Sequence, residues 1–234
     1  MPIDSTWEKI LTKAYSALSY EYKYFLENDT HYFPSQEYYF NAFKTLPKPK
    51  VHYILFGQDP YPREESAGGY AFIDMKVKKL FSSKGLSTEV NKATSLRNFI
   101  KMLLLESSYL SKTDTSQEAI ALLDKTHLID SIEALKENFE KNGVLLLNTA
   151  LVFTTKKDST KHIKAWKPFM EVLLNELSVD RPKLILFGTH AKALKKQFDL
   201  SPFEIIEIEH PYNHTFIHNP LAHKIFGKMQ LLVR

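Results

Sequence analysis

The chain of 234 residues contains no cysteine. Disulfides, thiolate zinc sites and cysteine nucleophiles are therefore excluded, and a reducing compartment is compatible with the sequence. Apolar runs are short, as in Val144-Leu145-Leu146-Leu147, and none could cross a bilayer. The opening residues Met1-Pro2-Ile3-Asp4-Ser5 lack the charged and apolar regions of a secretory signal. No internal repeat, low-complexity segment or obvious linker is present. These absences lead to the expectation of a soluble, cytoplasmic protein (nuclear if the source is eukaryotic) without a membrane partner, folded as a single domain over residues 1–234.

The content that remains is ordinary for a globular domain, with 44% hydrophobic and 25% charged residues. The net charge of +4 permits a polyanionic partner without demanding one. Lysines gather at Lys156, Lys157, Lys161, Lys164 and Lys167, and again at Lys192, Lys195 and Lys196. A solvated basic face would explain either cluster taken alone.

Apolar spacing at Trp7, Ile10, Leu11, Tyr15 and Leu18 predicts one or two helices over 7–28, and the aromatic-rich stretch 32–43 reads as a further short helix. Residues 1–45 are thus a helical cover. Four short apolar runs bounded by polar or breaker residues read as buried strands: 51–56, 144–148, 184–187 and 205–208. Helical patterns over 96–106, 129–140, 169–177 and 191–198 alternate with them. The expected fold is α/β, three layers in one domain, with a short central parallel β-sheet of about four strands flanked by helices.

The strand ends carry the chemistry. The first run leads into Gly57-Gln58-Asp59-Pro60-Tyr61, the second ends in Asn148-Thr149, the third in Gly188-Thr189-His190 and the fourth in His210-Pro211. Strands of a parallel sheet end on one edge, where open α/β folds bind ligands, so Asp59, Asn148 and His210 are expected to converge. The bland alternative makes Asp59 the cap of a helix that begins at Pro60.

These segments resemble a family 1 uracil-DNA glycosylase over 51–227. Residues 57–61 reproduce the Gly-Gln-Asp-Pro-Tyr-His loop up to its last position, and Ala67, Gly69, Ala71 and Phe72 follow at the family's spacing. Gly143 to Thr149 is similar to the strand with the uracil-reading asparagine. Ala165-Trp166 to Phe169 resembles a Gly-Trp-Glu-x-Phe helix start, Phe187 to Ala191 the phosphate loop, and Thr94-Ser95-Leu96-Arg97-Asn98 a Pro-Pro-Ser-Leu-x-Asn segment.

The resemblance implies a glycosylase that flips uracil out of single- or double-stranded DNA and hydrolyses its N-glycosidic bond, leaving an abasic site. Asp59 would orient a water and favour the sugar cation, and His210 would donate to uracil O2. Phe72 would stack on the base, and Asn148 would pair with its O4 and N3–H edge, which cytosine presents reversed. Tyr61 would exclude the thymine methyl, and the backbone amide of Gln58 would be a second donor to O2. Ser95, Thr189 and His190 would contact the DNA backbone. A monomer without cofactor is expected.

Three departures bear on this reading. Pro62 replaces the histidine that closes the first motif, and Gly68 stands where a histidine is common. After His210-Pro211 several residues are inserted before Pro220-Leu221, so Leu221, or alternatively Phe216 or Ile217, is the wedge that enters the stack. The remodelled loop keeps open a second class of function, a catalytically weak uracil or damaged-base DNA-binding protein on the same fold. His210, His214 and His218 recur every four residues with His223 nearby, a spacing that would suit zinc on a helix. Pro211 and Asn219-Pro220 disfavour that helix, and no acidic ligand lies among them, so no metal is expected.

Overall fold

The four apolar runs are the four strands of one parallel sheet. In the structure, a computed structural model that describes residues 2–234, the elements in chain order are α1 (Ser5–Ser16), α2 (Tyr20–Asn28), β1 (Tyr53–Gly57), β2 (Phe81–Ser82), β3 (Gly85–Leu86), α3 (Thr88–Lys92), α4 (Thr94–Glu106) and α5 (Gln117–Ala121). There follow α6 (Ile132–Lys141), β4 (Val144–Asn148), α7 (Ser159–Leu177), β5 (Lys183–Phe187), α8 (His190–Gln197), β6 (Ile205–Ile208) and α9 (Pro220–Phe226). The side chains of Ala191 and Lys192 lie outside the described residues. No described helix is long and apolar enough to cross a membrane.

The chain divides into two units, the first formed by residues up to Asp74 with Gly143–Glu207, the second by Met75–Asn142 with Ile208–Arg234. In the first, the strand order is β4-β1-β5-β6, and β1 runs parallel to both β4 and β5. Ile54 and Phe56 of β1, Leu145 and Leu147 of β4, and Leu184 and Leu186 of β5 share one core with Trp7 and Leu11 of α1 and Trp166 and Phe169 of α7. The alternate residues Leu55, Leu146 and Ile185 are buried too, so these strands are apolar on both faces, as parallel strands generally are.

Two expectations need correction here. Helix α7 begins at Ser159, ten residues before the expected 169, and carries Pro168 inside it. Proline removes one intrahelical donor, but Lys164, the residue whose carbonyl loses it, is exposed to water. Residues 32–43 form turns and a single 3-10 turn at Asn41–Phe43 in place of a helix. Their aromatic side chains fill the core without helical backbone, as Tyr39, packed at 5.8 Å from Trp166, illustrates.

In the second unit, β2 and β3 form a two-stranded antiparallel ribbon, and Phe99 of α4 is the hub of the aromatic core. Its ring centroid lies 4.9 Å from that of Phe226, 5.8 Å from Phe139 and 6.1 Å from Phe216.

Candidate functional site

Strand pairing brings the exits of β1 and β4 side by side. Gly57 is in register with Asn148, and the pairing runs past the strands, with Thr149 N–H donating to Gly57 O at 2.9 Å and Ala150 N–H to Gln58 O at 3.0 Å. A β-carbon on Gly57 would stand 2.2 Å from Asn148 Oδ1, so glycine is what lets the amide lie across the end of β1. Asn148 is only 4% exposed, yet its side-chain amide makes no hydrogen bond among the described residues. Buried amides are nearly always paired, and one left unspent at a strand end is poised for a ligand.

No helix follows Pro60, so Asp59 is not a helix cap. Its carboxylate is held instead from across the unit. Ser159, buried at the first position of α7, donates its hydroxyl to Asp59 Oδ2 at 2.7 Å. The Gln58 side-chain amide donates to the same oxygen at 3.0 Å. Asp59 Oδ1 is buried and accepts no hydrogen bond from the described residues. Pro62, where the resemblance leads one to look for a histidine, is exposed.

The loop after this motif presents the aromatic groups. Ala67 and Asp74 pair in an isolated antiparallel bridge, and Ala71 N–H donates to Leu146 O of β4 at 3.1 Å. Phe72 sits between them with φ +69°, a left-handed conformation that costs a non-glycine residue about 1–3 kcal/mol and concentrates at functional positions. Beside its ring is Phe187, at 6.0 Å between centroids. Tyr61 Oη donates to Phe72 O at 3.3 Å. Burial, reinforced by the Asp74 carboxylate, pushes the Tyr61 phenol well above its ordinary range, so it stays a neutral donor.

At the end of β5, Thr189 is exposed at the N-terminus of α8, and no side chain caps that helix. His190 turns inward. Thr149 gives its hydroxyl proton to Gly57 O at 3.2 Å, which leaves its oxygen to accept from His190 Nε2 at 3.2 Å. His190 thereby ties the ends of three strands together, a structural use that the sequence did not reveal.

The second unit holds the remaining expected residues. His210 Nδ1 accepts the Tyr212 N–H at 3.0 Å, so the neutral ring carries its proton on Nε2. Desolvation holds the imidazole below its ordinary 6.5. Ser95 lies in the first turn of α4, which also lacks a side-chain cap. Such a helix start has amides to offer a phosphate.

The inserted loop is pinned rather than loose. Asn98 donates to Pro211 O at 2.8 Å and to Tyr212 O and Asn213 O at 3.3 Å, while Glu209 accepts from Thr215 and Asn219. Phe216 and Ile217 are fully buried, Phe216 stacking on Phe99. This corrects the wedge alternatives, because residues that plug a core cannot also enter a base stack. Leu221, 36% exposed in the first turn of α9, remains, and Tyr212 is 66% exposed. The histidines do not share a helix face. His214–His218 is a 3-10 turn, α9 starts at Pro220, and His223 faces Glu106 Oε2 at 2.6 Å and Ile217 O at 2.8 Å. Among the described residues no cluster could hold a metal ion.

Ser159 is the site residue that sequence reasoning missed. Its one signal in the sequence is the polar Asp158-Ser159-Thr160 segment, a helix-start composition.

No protein-family model matches the chain. The wild-type UNG crystal structure from Nitratifractor salsuginis superposes with a TM-score of 0.97 at 51% identity, covering 99% of this chain and 93% of that one. A uracil-DNA glycosylase from Francisella tularensis subsp. holarctica is 29% identical over 181 residues, which is 76% of this chain and 69% of the relative. The mimivirus uracil-DNA glycosylase, at 22% identity and a TM-score of 0.57 over 88% of this chain and 68% of its own, shares the fold.

Proposed function

The chain belongs to the uracil-DNA glycosylase family, and from that premise we infer that it is a family 1 DNA repair enzyme that removes uracil from single- or double-stranded DNA by base flipping. The observation that carries this reading is the pair of polar groups at adjacent strand ends, the buried Asp59 Oδ1, which has no hydrogen-bond partner among the described residues, and the side-chain amide of the 4% exposed Asn148. An amide offers a donor and an acceptor to the uracil N3–H and O4 edge, and a carboxylate oxygen without a protein partner suits a water.

In hydrolysis the C1′–N1 bond breaks, uracil leaves with the electron pair, and the water oxygen bonds to C1′. One water proton is released as the sugar gains its hydroxyl, and the departing base takes up a proton. Cationic character gathers on the sugar and negative charge on uracil O2, so catalysis needs an anion at one end and a donor at the other. Asp59 supplies the first. For His210 we assign the second, since the Tyr212 N–H donated to Nδ1 places the proton of the neutral ring on Nε2. Phe72 is assigned to stacking, Tyr61 to excluding the C5 methyl, and Leu221 to the gap left by the flipped base. Ser95, Thr189 and the exposed Lys156, Lys157, Lys161 and Lys164 are assigned to DNA phosphates.

The test is incubation of the protein with a uracil-containing oligonucleotide in a metal chelator, with alkali cleavage to reveal abasic sites. Cleavage at uracil and not at thymine is expected. Intact DNA after hours at enzyme excess, with binding retained, would instead establish the binding-protein reading.

A further inference from the structure

We propose that Ser159 is a positioning residue for the hydrolytic water, acting through Asp59, an inference that rests on the glycosylase reading. A carboxylate on a short side chain turns about a broad terminal torsion, and an unanchored one would present its oxygens over a wide range of directions. Here both protein donors converge on one oxygen. Ser159 Oγ lies 2.7 Å from Asp59 Oδ2, Gln58 Nε2 lies 3.0 Å from it, and Gln58 Nε2 stands 3.4 Å from Ser159 Oγ. With Oδ2 held, the torsion is set, and the lone pairs of the buried, unpartnered Oδ1 point one way.

Of the two donors, Ser159 is the one that can impose a direction. Gln58 is exposed and is the chain neighbour of Asp59, so it moves with the loop that it would have to restrain. Ser159 comes from 100 positions away, is 8% exposed and opens the 19-residue α7. The start of that helix is itself locked. Asp158 N–H donates to Thr155 O at 3.0 Å, and Thr155 Oγ1 donates to Asp158 Oδ2 at 2.7 Å. One turn on, buried His162 bridges Tyr22 Oη at 2.8 Å and Thr154 Oγ1 at 2.9 Å, which fixes the rotation of α7 against the body of its unit.

The Ser159 hydroxyl spends its single proton on Asp59, so it has none to give to substrate. It acts only by aiming the carboxylate. Because a reacting atom misplaced by about 1 Å costs on the order of 100-fold in rate, losing that aim is felt in turnover and not in substrate affinity.

The experiment compares Ser159→Ala and Ser159→Thr with wild type on a uracil-containing oligonucleotide, under both steady-state and single-turnover conditions, with thermal melts alongside. We expect Ser159→Ala to lower kcat roughly 10- to 100-fold with KM within about twofold, and Ser159→Thr, which keeps the hydroxyl, to recover most of the rate. In an Asp59→Asn background, Ser159→Ala should have no further effect, because the two side chains act as a unit. Wild-type kcat in Ser159→Ala overturns the proposal, as does the same fold-loss in the Asp59→Asn background as in wild type, which would mark a purely structural role. Should Ser159→Ala fold poorly, the Thr variant decides alone, and a rate as low as that of Asp59→Asn would refute the role. Failure of wild type to cleave uracil DNA would strike the functional reading and the proposal with it, whereas an active wild type matched by Ser159→Ala would strike the proposal alone.

Discussion

Replacing Gly57 by alanine tests how uracil recognition is built. The added β-carbon would fall 2.2 Å from Asn148 Oδ1 and 3.0 Å from Ala71 Cβ. The first distance is about 1 Å inside van der Waals contact, so the amide must swing away from the end of β1. Asn148 lies on a strand whose residues are all buried, so its backbone has little freedom to follow. A displacement of about 1 Å is worth roughly 100-fold in kcat/KM, or about 2.7 kcal/mol of transition-state stabilisation. Overpacking of this kind also costs roughly 1–3 kcal/mol of stability, less than a domain of this size can tolerate. The assay is kcat/KM on a uracil oligonucleotide with a denaturant melt of the same preparation. Wild-type turnover in a folded Gly57→Ala protein would show that the amide is not read where strand pairing puts it.

Three further outcomes are expected. Tyr61→Ala should remove thymine from DNA at a measurable rate, and unchanged rejection of thymine would assign the guarding of C5 to another residue. Leu221→Ala should lower activity on double-stranded uracil DNA about tenfold while sparing single strands, since only a duplex needs its gap filled; equal losses on both would remove the wedge role. Burial holds buried His162 below its ordinary 6.5, so between that folded value and 6.5 the unfolded chain binds more protons. Stability from this group is therefore complete above pH 6.5 and lost as pH falls through the folded value, with a slope of at most about 1.4 kcal/mol per pH unit. Melts from pH 7.5 to 5 should flatten in His162→Gln, and parallel curves for variant and wild type would discard this cause.

The strands were legible because each is a short apolar run between breakers, and a parallel sheet leaves little choice about which ends meet. Asp59 and Asn148 could be named from that alone, one residue at or just past each strand end. Ser159 could not, since a hydroxyl 100 residues from its carboxylate leaves no local mark. Phe216 misled for a related reason: an apolar side chain in a loop reads the same whether it protrudes or plugs the core, and only its stacking on Phe99 decides. The first ten residues of α7 lay outside the apolar stretch 169–177 that predicted it, and Pro168 sits inside the helix. The bond of His190 to Thr149 was not legible, because it depends on strand ends that come together only in the fold.

The central claim, that Asp59 acts on the transition state, is tested most directly by Asp59→Asn in paired single-turnover and DNA-binding measurements. The account predicts a rate reduced by at least about 100-fold with the Kd for uracil DNA changed by less than about threefold. Rate and affinity falling together by the same factor would contradict it and make Asp59 a structural residue.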